Sequence, residues 1–114
     1  MTKVTIYHNP KCSTSRNTLA LIREAGIEPT IIEYLKNPLD KAGIVQILKD
    51  SGLSAKALIR TKETLYQTLN LDNATEEQLI QAMVEHPVLM NRPIVVTEKG
   101  TRLARPIELV KEIL

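Results

Sequence analysis

The residues best suited to chemistry lie near the start of the chain, between His8 and Arg16. This segment contains the chain's single cysteine, Cys12, which follows a short apolar strand pattern and precedes a helical pattern. The free amides and positive dipole end of a helix meet at such a junction and favour an anion. We therefore expect Cys12 to be drawn toward the thiolate, the reactive form of a thiol. Ser13 or Thr14 is the predicted N-cap of the helix.

The helix end alone does not account for a thiol that is ionised at neutral pH. A helix terminus contributes up to about 2 kcal/mol to a nearby charge when the site is partly buried. One pKa unit corresponds to about 1.4 kcal/mol, so the dipole moves a thiol by about one unit from its reference near ~8.5. Further cations are needed, and the candidates in this sequence are His8, Arg16, Arg60, Arg92 and Arg105.

Several of these residues also have a purely structural interpretation. Arg16 lies one turn along the predicted helix, where a surface salt bridge is expected. Arg92 and Arg105 each directly precede a proline at the edge of a predicted element, which favours a position near the thiol. Ser15 either donates to the thiolate or supports the first helical turn, and both interpretations stay open. For Cys12 itself, the alternative is an inert buried thiol.

Length and composition restrict the fold and the partners. The 114 residues suit one compact domain, and 43% hydrophobic with 25% charged residues is typical of globular proteins. A net charge of +2, scattered basic residues and 3% aromatic residues argue against a nucleic-acid partner. No apolar run reaches membrane-spanning length and no signal-peptide pattern opens the chain, so we expect a cytoplasmic protein without membrane contact.

The single cysteine also limits the chemistry. It permits no internal disulfide and no cysteine-based metal cluster. We also expect no metal site and no bound cofactor. If the thiol performs redox chemistry, its electrons must come from another molecule.

The elements that position Cys12 begin with a strand over residues 4–7. A helix follows and stops at Gly26, and β-branched residues predict a second strand over residues 30–34. A strand, helix and strand of these lengths predict a right-handed parallel crossover. These elements place Cys12 at the carboxyl end of the first strand.

The middle of the chain, from about residue 38 to 87, is predicted to be a mostly helical insertion. Asp40 is the expected N-cap of a helix that ends near Gly52, and Thr75 opens another helix. Strands are then predicted over residues 93–97 and 101–104, joined by a tight turn.

A closing helix with Pro106 in its first turn completes the order β-α-β, helical insertion, β-β-α. With a reactive cysteine after the first strand, this order is the plan of a thioredoxin-like α/β domain, a mixed four-stranded sheet flanked by helices. By analogy with that fold, Pro93 lies beside Cys12, and the Arg92–Pro93 bond is a candidate cis peptide. We predict one such domain over residues 1–114.

The sequence closely resembles the glutaredoxin-coupled arsenate reductases, a branch of the thioredoxin superfamily. The resemblance extends over nearly the whole chain in the same order. The matching stretches are residues 8–17 (HNPKCSTSRN), 57–60 (ALIR), 86–97 (HPVLMNRPIVVT) and 100–106 (GTRLARP). The chain departs from the family pattern at Ser13, where glycine is common, and at Ala104, where some members have cysteine.

The resemblance implies a mechanism. Cys12 would attack the arsenic of arsenate, and His8 would help to lower the pKa of the thiol. The oxyanion would be held by Arg60, Arg92 and Arg105. Glutathione, as co-substrate, would form a mixed thiol–arsenic adduct that glutaredoxin resolves with release of arsenite. A monomeric enzyme is expected.

Other functional classes can be compared with the same residues. A phosphatase-type reductase would have an arginine six positions after the cysteine, but that position is Thr18, so this class is excluded. Non-catalytic or thiol-regulatory relatives that bind another protein generally have a second cysteine where this chain has Ser15. A monothiol enzyme that removes glutathione from proteins fits Cys12 but has no need of three arginines. These two alternatives stay open beside the arsenate reductase interpretation.

Overall fold

The computed structural model describes residues 3–114, which fall into two compact units. The first unit comprises residues 3–37 and 92–114, and the second comprises Pro38–Asn91. The second unit contains the segment that the sequence predicts as a helical insertion and extends to Asn91. The organisation of the chain as one domain stays a prediction.

The first unit is built on a mixed sheet with strand order β2-β1-β3-β4 among the described residues. β1 pairs in parallel with β2 and antiparallel with β3, and β3 pairs antiparallel with β4. The predicted thioredoxin-like α/β architecture is thereby confirmed. The elements are β1 (Val4–His8), α1 (Ser13–Glu24), β2 (Thr30–Glu33), β3 (Ile94–Thr97), β4 (Gly100–Leu103) and a closing 3-10 helix (Ile107–Glu112).

Alternation along β1 places the last residue of the strand against the interior. Val4, Ile6 and His8 are buried, whereas Thr5 and Tyr7 are half-buried, as expected when successive side chains point to opposite faces. The aliphatic core of this unit contains Val4, Ile6, Ile22, Val95, Ala104, Val110 and Ile113. His8 is therefore a polar side chain on the core face of β1, next to the loop that contains Cys12.

The closing segment differs from the prediction, because residues 107–112 form a 3-10 helix rather than an α-helix. Pro106 precedes this helix as its N-cap and does not lie in its first turn. Val110 and Ile113 are both buried, and residues three apart share one face in 3-10 geometry. The Thr97 hydroxyl also donates to the carbonyl of Ile113 at 2.7 Å, which attaches the end of this segment to the sheet.

The second unit is helical, and its caps follow the sequence. Asp40 accepts a hydrogen bond from the amide of Gly43 at 2.8 Å, and Gly52 ends the helix at φ +74°. Thr75 and Gln78 form the predicted capping box. The helices are α2 (Lys41–Ser51), α3 (Ala55–Leu58), α4 (Thr64–Thr68) and α5 (Glu76–Glu85), with 3-10 turns at Leu71–Asn73 and Pro87–Leu89. Across residues 3–114, no helix combines the length and apolarity that crossing a membrane requires.

Candidate active site

Cys12 occupies the N-cap position of α1, one residue before the earlier of the two predicted caps. The helix begins at Ser13, and Cys12 has an extended backbone with φ −96° and ψ 123°. An N-cap side chain lies beside the free amides of the second and third helical residues, here Thr14 and Ser15. The assignment of the cap to Ser13 or Thr14 is therefore wrong.

The surroundings of Cys12 lower the pKa of its thiol below the usual value. Burial of the residue, which is 8% exposed, acts in the opposite direction and raises the pKa. The amide of Ser15, the guanidinium of Arg92 and the amide of Thr14 together outweigh that effect. Because each of these donors stabilises the thiolate, the net direction favours the nucleophilic form.

Arg92 and Arg105 lie side by side although 13 residues separate them. Arg92 precedes β3 and Arg105 follows β4, and the antiparallel pairing of Ile94 with Leu103 brings these two strand ends together. Nε of Arg105 donates to the carbonyl of Arg92 at 2.8 Å. Nη2 of Arg105 lies 3.7 Å from Sγ of Cys12. One guanidinium therefore contacts both the thiol and the chain segment that provides the second arginine.

Both arginines precede a cis proline bond. The Arg92–Pro93 bond is cis, as the fold analogy suggested. The Arg105–Pro106 bond is also cis, which the sequence analysis did not foresee.

Ser15 is fully buried and connects the first turn of α1 to His8. Its hydroxyl oxygen lies 2.6 Å from Nδ1 of His8 and accepts a hydrogen bond from the amide of Asn9 at 3.1 Å. The two interpretations left open for Ser15 therefore apply to different chemical groups of the same residue. Its hydroxyl supports the turn, and its backbone amide acts on the thiol of Cys12.

The pKa of His8 is lowered from its usual value. Burial is the main cause, partly opposed by the carboxylate of Glu33, and the cationic side chains of Arg16 and Arg23 lower the pKa further. Nδ1 of His8 and the hydroxyl of Ser15 share one hydrogen bond, whose direction follows the tautomer of the ring. The hydrogen bond to Ser15 connects the ring of His8 to the start of α1, and the part of His8 in lowering the pKa of the thiol stays a prediction.

Arg16 and Arg60 have other local contacts. Arg16 donates to the carbonyl of Pro10 at 2.8 Å. A hydrogen bond to the backbone of the loop between β1 and α1 thus takes the place of the expected surface salt bridge. Arg60 belongs to the second unit, where its amide donates to the carbonyl of Leu89 at 2.7 Å and its guanidinium pairs with Glu63 at 3.0 Å. The part of Arg60 in an anion clamp stays a prediction.

The first unit thus brings together five residues that the sequence singled out: His8, Cys12, Ser15, Arg92 and Arg105. Sequence reasoning missed the buried Asn9, although the Asn-Pro dipeptide is a turn signal that points to it. Within residues 3–114, no group of three His, Cys, Asp or Glu side chains is arranged to hold a metal ion. A stabilised thiolate beside guanidinium donors suits nucleophilic attack on a tetrahedral oxyanion.

Comparisons with known proteins point to one family. The ArsC family model matches residues 7–113. An arsenate reductase from Acidiphilium multivorum is 53% identical over 116 residues, covering 100% of this chain and 82% of that protein. An Escherichia coli K12 protein with the name "Uncharacterized protein YfgD" is 52% identical over 118 residues, covering 100% of this chain and 99% of that protein. The structure of an arsenate reductase from Vibrio cholerae is 45% identical, covers 98% of each chain and superposes with a TM-score of 0.95.

Proposed function

The chain belongs to the ArsC family, and we propose that it reduces arsenate to arsenite with electrons from glutathione and glutaredoxin. The observation that carries this proposal is the environment of Cys12. Its thiol lies at the N-cap of α1 with a lowered pKa, and a guanidinium nitrogen of Arg105 is 3.7 Å from the sulfur. A nucleophile and oxyanion donors therefore lie within one small region.

In the proposed first step, the thiolate of Cys12 attacks the arsenic atom. An S–As bond forms and one arsenate oxygen leaves as water after protonation, so arsenic stays pentavalent. Negative charge on the remaining oxygens is stabilised by Arg92 and Arg105, together with Arg60 if the predicted clamp is complete. The planar fork of arginine suits such an anion better than the point charge of lysine.

The later steps need external thiols because the chain has one cysteine. The glutathione thiol displaces a second oxygen and forms its own S–As bond. A glutaredoxin thiolate then attacks the sulfur of the bound glutathione, so an S–S bond forms and the electron pair of the broken S–As bond reduces arsenic to the trivalent state. Water releases arsenite and returns Cys12 as a thiolate. This dependence on glutathione supports a cytoplasmic location, and we infer that a monomer suffices.

The proposal is tested by coupled NADPH oxidation with glutathione, glutathione reductase, glutaredoxin and arsenate. We expect arsenate-dependent oxidation with the parent protein, and only background oxidation with Cys12→Ser or when glutaredoxin is omitted. A thermal unfolding curve of Cys12→Ser controls for folding. A folded parent protein without arsenate-dependent turnover would show the proposal to be wrong.

A monothiol enzyme that removes glutathione from proteins is the second candidate. The lowered pKa of Cys12 serves thiol–disulfide exchange as well as attack on arsenic. The two functions are separated by comparing arsenate with a glutathionylated peptide as substrate for Arg92→Ala. Selective loss of arsenate turnover favours the reductase, whereas turnover of the peptide alone by the parent favours the second candidate.

A further inference from the structure

Asn9 connects the end of β1 to the start of α1 through three separate groups. Its backbone amide donates to Oγ of Ser15 at 3.1 Å, and its carbonyl accepts from the amide of Cys12 at 3.0 Å. Its side-chain oxygen Oδ1 accepts from the amide of Lys11 at 3.0 Å. The residue is only 9% exposed, so these contacts are largely protected from water. Hydrogen bonds thus attach Lys11, Cys12 and Ser15 to one asparagine.

The contacts define a tight turn that ends at the nucleophile. The hydrogen bond from the Cys12 amide to the Asn9 carbonyl closes a four-residue β-turn in which Pro10 holds the second position. Asparagine is favoured in the first position of such turns and proline in the second. The Asn9 side chain adds a second closure by accepting from the amide two residues later, as asparagine does in Asx-turns. This double closure fixes the direction from which the chain enters α1.

The direction of entry determines where the sulfur lies. Cys12 has the extended backbone of an N-cap residue, with φ −96° and ψ 123°, and its sulfur lies 3.7 Å from Nη2 of Arg105. We propose that Asn9 is a positioning residue for the nucleophile, holding Cys12 at the N-cap of α1 with its sulfur beside the guanidinium of Arg105. The proposal deepens the proposed function, since it concerns the same thiol, but it can be tested without arsenate.

The chemistry of the side chain also explains why an amide suits this position. A carboxylate would offer the same oxygen to the amide of Lys11, but it would add a negative charge near the sulfur and disfavour the thiolate. A methyl group would offer no acceptor at all. A serine hydroxyl forms the same kind of turn more weakly than asparagine. Substitutions of Asn9 therefore test separately the loss of the hydrogen-bond acceptor and the addition of a negative charge.

The test uses the rate of alkylation of Cys12 by iodoacetamide as a function of pH. Because the chain has one cysteine, the rate reports this thiol alone. We expect Asn9→Ala to move the midpoint to higher pH, with a fall in the rate at neutral pH of up to about tenfold, the factor for one pKa unit. Asn9→Ser should lie between Asn9→Ala and the parent protein. Asn9→Asp should also move the midpoint upward, because of the added charge.

Asn37 offers a matched control, since it is exposed and also precedes a proline. Asn37→Ala and Asn37→Asp should give the parental alkylation curve. A parental curve for Asn9→Ala overturns the proposal, as does a shift in Asn9→Ala that Asn9→Ser does not reduce. If Asn9→Ala shows no cooperative thermal unfolding, the test rests on Asn9→Ser and Asn9→Asp. Parental alkylation curves in both of these variants overturn the proposal. Arsenate turnover does not enter these measurements, so they fail or succeed independently of the reductase assignment.

Discussion

At the scale of single residues, the thiol of Cys12 is subject to opposing effects. Burial raises its pKa, while two helix amides and the guanidinium of Arg92 lower it, and the lowering effects prevail. The amides belong to the backbone of α1 and remain in any variant that folds. The arginine is the part of this balance that mutation can remove.

Replacing Arg92 by alanine should raise the pKa of the Cys12 thiol. The pH profile of iodoacetamide alkylation should move to higher pH, so that the rate at neutral pH falls, with a tenfold fall for each pKa unit. Arg102→Ala removes the same charge from the same unit, at a side chain paired with Glu112, and should leave the profile unchanged. Identical profiles for the two variants would contradict the influence of Arg92 on the thiol.

Replacing Arg105 by lysine should weaken arsenate turnover although the charge is kept. The guanidinium reaches the Arg92 carbonyl and the Cys12 sulfur at once, which a single ammonium group cannot reproduce. A hydrogen bond to a charged group contributes about 1.5–3 kcal/mol, so kcat/KM for arsenate should fall roughly ten- to hundredfold. Parental kcat/KM in Arg105→Lys would show that only the charge matters at this position.

At the scale of elements, local signals set the ends of most helices. Asp40, Gly52 and Thr75 each have a side chain or backbone conformation that favours a helix end, and the structure confirms all three. The two failures, at the start of α1 and in the closing 3-10 helix, occur where another part of the chain determines the geometry. The turn closed by Asn9 determines where α1 starts. Packing of Val110 and Ile113 in the core determines the geometry of the closing 3-10 helix.

Removing the cap of α2 should lower stability by a predictable amount. Asp40→Ala deletes the acceptor for the Gly43 amide and should reduce the free energy of unfolding by about 1 kcal/mol, as typical N-cap substitutions do. Asp40→Asn keeps an acceptor and should cost less. Urea denaturation of the two variants and the parent protein measures the difference, and equal midpoints for Asp40→Ala and the parent would refute the assignment.

At the scale of the whole molecule, the perturbed thiol links folding to pH. The pKa of Cys12 is lowered in the folded state, so between the folded and unfolded pKa values the unfolded chain binds more protons. The contribution of the thiol to stability is therefore complete above the unfolded value, near ~8.5. It is lost as the pH falls through the folded value.

Denaturation under reducing conditions across the neutral to mildly alkaline range should show this linkage. The difference in unfolding free energy between the parent protein and Cys12→Ser should grow in favour of the parent as the pH rises, because serine does not titrate there. A difference that is constant with pH would contradict the lowered thiol pKa.

The sequence alone predicted the α/β order of elements, the caps at Asp40, Gly52 and Thr75, and the place of Cys12 between β1 and α1, because these depend on neighbours within a few residues along the chain. Periodicity and turn residues likewise predicted the parallel pair of β1 and β2 and the hairpin of β3 and β4. The residues alone named the candidate arginines and favoured Arg92 and Arg105, and the resemblance to arsenate reductases added their expected role as an anion clamp.

Only the tertiary structure placed Arg105 against the Cys12 sulfur, made Cys12 itself the N-cap, and buried His8 with its Nδ1 against the hydroxyl of Ser15. These arrangements depend on strand register and on burial. Register brings together residues 13 or 93 positions apart, and burial decides which ionisable groups keep their charge. Neither quantity is contained in a local pattern of residues.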